Sequence, residues 1–196
     1  MLLPRSTPLV RPVALAVAVP VLAVVLAGCS AGGSGEGSTM GSGGEDAARV
    51  AKVRADLAAL FAGDHPDARQ TATGECFAEE LTSSTSLDAL QAGGVLDSSY
   101  DVVEDLPRLR EDIAEAWAEA QFACTDFVEE STRAQQAATK GRILDEPYAG
   151  CLRGELTPEQ MRAAVVDSLT GNWQGVDLMR LGRAQSECQK SSLAPR

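Results

Sequence analysis

Apolar residues recur every three or four positions through most of the chain after its N-terminal quarter, which is the spacing of one face of an α-helix. The first apolar stripe consists of Val50, Val53, Leu57, Leu60 and Phe61. The helix that it predicts stops at Gly63. Later stripes predict short helices that begin near Thr73 and within residues 83–86, followed by one long helix from Leu106 to Phe127. The folded part of the chain therefore opens with a single leading helix.

A second series of helices is predicted in the last fifty residues. Pro147 opens a helix that carries Cys151. Residues 157–160, Thr-Pro-Glu-Gln, form a capping box with proline at the first helical position, so another helix begins there. Gly171 ends that helix, and a last helix starts near Val176. The pattern as a whole predicts an all-α fold.

Composition and charge narrow the class of protein further. Of the 196 residues, 44% are hydrophobic but 4% are aromatic, so the core has to be built from Ala, Leu and Val. Such a composition favours helices over an aromatic-rich β-sandwich or β-barrel. The net charge of −11 repels phosphate backbones, which excludes nucleic acid as a partner.

Residues 1–28 have the pattern of an export signal. Arg5 and Arg11 precede an uncharged apolar run at residues 12–27, and small residues end that run. The run is 16 residues long and is interrupted by Pro20. A membrane-spanning helix needs about 20 apolar residues, so a cleaved signal is the better interpretation.

The end of this signal, Leu26-Ala27-Gly28-Cys29, resembles the lipobox of bacterial lipoproteins. The resemblance implies that the peptide bond before Cys29 is cut and that its thiol receives a diacylglycerol. An ordinary secretory signal with an incidental cysteine is the alternative. Seven of residues 30–44 are glycine, which predicts that residues 29–44 are a lipidated cysteine and a flexible tether. The anchor would hold a domain of residues 45–196 at the outer face of the cytoplasmic membrane.

The cysteine count agrees with export. Assigning Cys29 to lipid leaves four others: Cys76, Cys124, Cys151 and Cys188. An even number of cysteines in an exported domain predicts disulfides. Four free thiols or a metal site with four cysteine ligands are the alternatives, but zinc sites draw ligands from close pairs and these cysteines are 48, 27 and 37 residues apart. We therefore expect no metal and no cofactor.

The two series of helices also resemble each other in sequence. Residues 76–82 match residues 151–157 at a cysteine, an apolar residue, a glutamate, a leucine and a threonine. Residues 120–124 parallel residues 184–188 through a shared alanine, glutamine and cysteine. Chance similarity between Ala- and Glu-rich helices is one explanation. Internal duplication is the interpretation that we favour, because both ends of the unit agree.

Cysteine-bounded helical units of this kind resemble uncharacterised domains of actinobacterial secreted proteins, a resemblance that implies a fold and no activity. The units span about residues 73–128 and 147–190. If each unit is a closed duplicate, its two cysteines pair with each other, whereas either alternative pairing would link the units. Duplication predicts the pairs Cys76 with Cys124 and Cys151 with Cys188.

Candidate catalytic groups are few. His65 is the single histidine and lies in a polar turn without a nucleophile or metal motif around it, so we interpret it as a turn residue. The predicted long helix carries the acids Glu111, Asp112, Glu115 and Glu119. Such carboxylates can serve acid–base catalysis or bind Ca²⁺, but the three glutamates lie opposite the apolar stripe and predict a solvated outer face. Residues 97–105 lack the spacing of an EF-hand. We assign no catalytic residue.

The segment around Trp173 carries the remaining candidate contacts. Trp173 lies between Asn172 and Gln174 and is bracketed by Gly171 and Gly175, at the junction of two predicted helices. Such a tryptophan can stack on a sugar or anchor a partner protein. The alternative, that it folds back to cap the core, is the one we favour because tryptophan is mostly buried.

Together these features predict a lipid-anchored extracytoplasmic protein that is a non-catalytic binding or cell-envelope-associated module. Its expected partners are the membrane, through the anchor, and an envelope protein or small ligand. The alternative is a cell-envelope hydrolase that uses a carboxylate pair. A concave pocket with two acids of perturbed pKa would favour the enzyme, and an exposed apolar patch around Trp173 would favour the binding module.

Overall fold

The computed structural model describes residues 42–194, which form eight α-helices and no β-strand. The helices are α1 (Ser42–Ala62), α2 (Ala68–Ser84), α3 (Leu87–Ala92), α4 (Glu111–Cys124), α5 (Phe127–Thr139), α6 (Asp145–Glu155), α7 (Pro158–Thr170) and α8 (Val176–Ser191). The all-α prediction is confirmed. The predicted signal, Cys29 and most of the predicted tether lie outside the described residues, and the last three tether residues, 42–44, belong to α1.

Side-chain caps set the starts of α2, α3, α5 and α7. Helix α2 begins at Ala68, five residues before the predicted start near Thr73, because Asp67 caps it. The carboxylate of Asp67 accepts a hydrogen bond from the backbone N–H of Gln70 at the start of α2, and Thr157 forms the predicted capping box at the start of α7. Gly171 ends α7 in the left-handed region, with φ of 73°, where glycine costs least. His65 lies exposed in the turn between α1 and α2, as expected of a turn residue.

The predicted long helix from Leu106 to Phe127 is wrong at both ends. Helix α4 begins only at Glu111, because the preceding residues are extended and the N–H of Leu109 donates to the carbonyl of Leu169 at 2.9 Å. At the other end, the carboxylate of Asp126 accepts hydrogen bonds from the N–H groups of residues 128 and 129, at 2.9 and 3.0 Å. This is an N-cap, so a new helix, α5, begins there.

Two disulfides join the helices in pairs. Cys76 in α2 is bonded to Cys124 at the end of α4, and Cys151 in α6 is bonded to Cys188 in α8. The pairing predicted from duplication is therefore confirmed. Disulfides persist in oxidising, extracytoplasmic surroundings, which is the environment that these bonds indicate. None of the described helices is both long and apolar enough to cross a membrane.

Part of the helix packing occurs twice. Helix α1 packs on α2 and α5 packs on α6, while the disulfides hold α2 to α4 and α6 to α8. We call α1–α4 the first repeat and α5–α8 the second repeat; each includes one helix, α1 or α5, before the predicted units at residues 73–128 and 147–190. Positions that match in sequence are buried in both repeats: Phe77 with Leu152, Leu81 with Leu156, Trp117 with Leu181, and Ala120 with Ala184.

Each repeat has its own hydrophobic cluster. In the first, the ring of Phe77 lies between Phe61, at 4.1 Å between centroids, and Trp117, at 4.7 Å. In the second, Tyr148 and Leu152 are fully buried. Helix α4 of the first repeat packs against α7 of the second, and partly buried side chains of α7 reach the first cluster. This contact between repeats forms the walls of the groove described next.

Candidate functional site

Trp173 lies in the turn between α7 and α8 and is 64% exposed. The expectation that it caps the core is therefore wrong. The reason is that the carboxylate of Asp167 fills the space at the base of the turn, so close to Gly175 that a Cβ atom there would overlap it.

Hydrogen bonds hold this turn in one conformation. The Nδ2 of Asn172 donates to Oδ1 of Asp167 at 2.7 Å, and the backbone N–H of Asn172 donates to the carbonyl of Asp167 at 2.8 Å. The backbone N–H of Gly175 donates to the carbonyl of Asn172 at 2.8 Å. The predicted contact residues Asn172 and Gln174 are both exposed, but the side-chain amide of Asn172 is engaged within the turn. Trp173 is consequently presented on a fixed support.

Two further apolar side chains are exposed beside Trp173. Val176 is 63% exposed and Met179 is 55% exposed. They are three residues apart in the first turns of α8 and therefore share one helix face. We call Trp173, Val176 and Met179 the Trp173 patch. Single exposed apolar residues are ordinary, whereas three large ones within seven residues of the chain are typical of a contact surface.

An open groove of about 610 Å³ adjoins the Trp173 patch, since Val176 belongs to the patch and also lines the groove. We call it the acidic groove. Its carboxylates are Glu111, Glu115 and Glu119 from α4, Glu159 and Asp167 from α7, and Asp177 from α8. The predicted exposure of the α4 glutamates is confirmed. They do not lie on a plain outer face, however, because α7 packs against α4 and gives the groove its second wall.

The negative charge of the groove is only partly compensated within the protein. Asp177 pairs with Arg180 at 2.7 Å, and Arg162 also lines the groove. Within the described residues, no lysine or arginine lies at ion-pair distance from the three α4 glutamates. Hydrogen bonds from its own backbone N–H and from the Thr157 hydroxyl lower the pKa of Glu159. The groove is therefore strongly negative at neutral pH.

Glu159 lacks the raised pKa that a general acid in hydrolysis would need. A general acid needs a carboxyl whose pKa is raised towards neutrality, and the shift at Glu159 goes in the opposite direction. Among residues 42–194, no group of three His, Cys, Asp or Glu side chains is placed to hold a metal ion.

The acidic loop at residues 97–105 is ordered by its own hydrogen bonds. The Asp97 carboxylate accepts hydrogen bonds from the backbone N–H groups of Ser99 and Asp101, at 2.7 and 3.0 Å.

Two parts of this site were missed from the sequence. Val176 and Met179 lie outside the apolar stripe that Leu178 and Leu181 begin, a sign that they do not face the core. That signal is readable from the spacing alone. The opposition of α4 to α7 is not readable, because it depends on how the two repeats meet.

Replacing Gly175 by alanine tests whether the turn is fixed by close packing. The added methyl group has to displace the Asp167 carboxylate, which would break its hydrogen bond with Asn172. We expect the free energy of unfolding to fall by about 1–3 kcal/mol, measured by urea denaturation. Gly182→Ala is the control, since a Cβ atom there meets nothing within 4 Å in mid-helix. It should raise stability by about 1 kcal/mol, and equal effects of the two changes would contradict the packing.

Compared with protein-family models, curated proteins and solved structures, the chain matches none. The functional assignment therefore rests on the fold and on the chemistry of this site.

Proposed function

We propose that the chain is a lipid-anchored, extracytoplasmic binding module of the cell envelope and that its contact surface is the Trp173 patch. The observation that carries the proposal is the exposure of Trp173, on a turn whose conformation is fixed by Asp167 and Gly175, together with Val176 and Met179 at the start of α8. A rigid aromatic anchor loses little conformational entropy on binding, and such residues dominate the binding energy of protein interfaces.

The stability cost of this surface supports a role in binding. Apolar area left in water forgoes about 25 cal/mol per Å² of burial free energy. A tryptophan folded onto the core would recover that free energy. Here the α7–α8 turn is instead built around a buried glycine and a hydrogen-bonded carboxylate, which leaves the indole outside.

The lipid anchor is supported by the lipobox-like residues 26–29 and by the two disulfides, which indicate an oxidising compartment. Residues 30–41 separate Cys29 from α1 and can span at most about 40 Å. The module would thus act within a short distance of the membrane surface.

Replacing Cys29 by alanine tests the anchor. When the full chain is expressed in a bacterium that processes lipoproteins, we expect it to enter the detergent phase and to gain the mass of a lipid at its new N-terminus. Cys29→Ala should give an uncleaved or released form without that mass. If both proteins enter the aqueous phase with the same cleaved N-terminus, the segment is an ordinary secretory signal and the anchor proposal is wrong.

Site-specific photocrosslinking in intact cells tests the contact surface. A photoreactive residue in place of Gln174, next to Trp173, should give a discrete adduct, and the same residue in place of the exposed Ala138 on α5 should not. Adding Trp173→Ala should remove the adduct at position 174. Adducts of equal yield at both positions, or an adduct that survives Trp173→Ala, would contradict the proposal.

A further inference from the structure

The Trp173 patch and the acidic groove meet at Val176, so that an apolar surface adjoins an anionic one. Val176 belongs to both, and Asn172 and Asp177 line the groove on either side of it in sequence. A partner that covers Val176 therefore contacts both the patch and the groove. Its chemistry has to satisfy both parts.

The α4 wall of the groove has a regular spacing of charge. Glu111, Glu115 and Glu119 recur every four residues, so their carboxylates follow one side of α4 over about 12 Å. Like charges one helical turn apart repel each other, and these three have no cationic partner in the described part of the chain. Cationic groups at the same spacing would relieve that repulsion.

We propose that the partner contacts this surface with a basic, amphipathic polypeptide segment. Lysine or arginine side chains one helical turn apart lie against Glu115 and Glu119, and apolar side chains of the same segment cover Trp173 and Val176. This inference rests on the proposed function and names the chemistry of the partner of the same site. It is an instance of an amphipathic helix that docks in a groove, with charge complementarity setting its orientation.

Other occupants fit the surface less well. An isolated cation would leave the apolar patch in water, while nucleic acids and anionic lipid surfaces would be repelled by the groove. A second copy of this chain related by two-fold symmetry would bring two acidic grooves together, because such an interface apposes identical surfaces. A basic amphipathic segment can pair its cationic side chains with the acidic groove and bury its apolar side chains against the Trp173 patch.

The test uses the processed, lipidated chain in phosphatidylcholine nanodiscs and a fluorescent 15-residue helical peptide with lysines one turn apart and leucines on the opposite face. We expect saturable binding beyond that of empty nanodiscs, and a dissociation constant that rises steeply with salt. Glu115→Gln with Glu119→Gln should weaken binding at least tenfold and flatten the salt dependence. Trp173→Ala should weaken it at least tenfold without changing the salt dependence.

The matched control removes the same number of charges elsewhere. Asp64 and Glu104 line another acidic cavity, which contains no residue of the Trp173 patch or of α4. Asp64→Asn with Glu104→Gln should change the dissociation constant by less than twofold. Equal weakening by the two double variants would show non-specific attraction and overturn the inference. So would equal binding of a peptide in which the lysines are replaced by glutamates, or no binding of the lysine peptide.

The crosslinking experiment separates this inference from the proposed function. Mass spectrometry of the adduct at position 174 should identify a partner segment rich in lysine or arginine, and Glu115→Gln with Glu119→Gln should reduce its yield at least fivefold. An adduct to an acidic segment, a glycan or a lipid would overturn the inference while leaving a binding module in place. If the unmutated chain forms no adduct at position 174, both this inference and the proposed function are wrong.

Discussion

Replacing Cys76 and Cys124 together by alanine is expected to lower the free energy of unfolding by about 4 kcal/mol. The disulfide closes a loop of 48 residues, and removing it restores the corresponding entropy to the unfolded chain. The bond between Cys151 and Cys188 closes 37 residues and should contribute nearly the same amount. Urea denaturation of the exported chain measures both losses. Since domains of this size are stable by about 5–15 kcal/mol, either loss is a large fraction of the total.

Peptide mapping provides the control for this prediction. The chain contains three lysines, Lys52, Lys140 and Lys190, and Lys140 lies between the repeats. Cleavage at lysine in denaturant without reduction should release residues 53–140 and residues 141–190 as separate, internally bridged peptides. Recovery of one disulfide-linked species would contradict the pairing. A loss of less than about 1 kcal/mol in the double variants would contradict the entropic argument instead.

Replacing Trp117 by alanine should destabilise the chain by about 3–5 kcal/mol. Trp117 is 6% exposed, and its ring lies 4.7 Å from that of Phe77 in the first hydrophobic cluster. Truncation removes the burial of the ring and leaves a cavity that helices joined by a disulfide cannot easily collapse. Thermal and urea unfolding of the purified variant measure the effect.

Trp173→Ala is the matched control for Trp117→Ala, because it makes the same chemical change at a 64% exposed position. We expect it to change the free energy of unfolding by no more than about 0.5 kcal/mol while it abolishes the crosslink at position 174. Equal losses of stability in the two variants would show that Trp173 supports the fold, and the assignment of the patch as a contact surface would then be wrong.

The contrast between these two tryptophans shows what the sequence could predict. Trp117 is placed in the core by its position in an apolar stripe, which is a local, periodic signal. Trp173 lies in a turn, where periodicity carries no information, and the general preference of tryptophan for burial led to the wrong expectation. Its exposure results from the contact between Asp167 and Gly175, eight residues apart, which only the folded turn brings about.

The break between α4 and α5 shows that a capping signal can outweigh a continuous apolar stripe. Apolar residues continue through Ala120, Cys124 and Phe127 with helical spacing, so the stripe suggested one helix. Asp126 followed three residues later by Glu129 is nevertheless the signature of a helix start, and it outweighs the stripe because it supplies acceptors for otherwise unpaired N–H groups. The disulfide pairing, by contrast, was predictable because the repeated sequence restricted the three possible pairings to one.

The acidic groove has one wall from each repeat, with α4 on one side and α7 and α8 on the other. A half-chain that kept its own disulfide would therefore still lack half of the surface. A partner that binds both walls can bind only when the two repeats are docked. By thermodynamic linkage, it therefore stabilises the docked arrangement over states in which the repeats are apart. A partner bound in the groove should therefore make the two repeats unfold more cooperatively, because it contacts both of them and stabilises their docked arrangement.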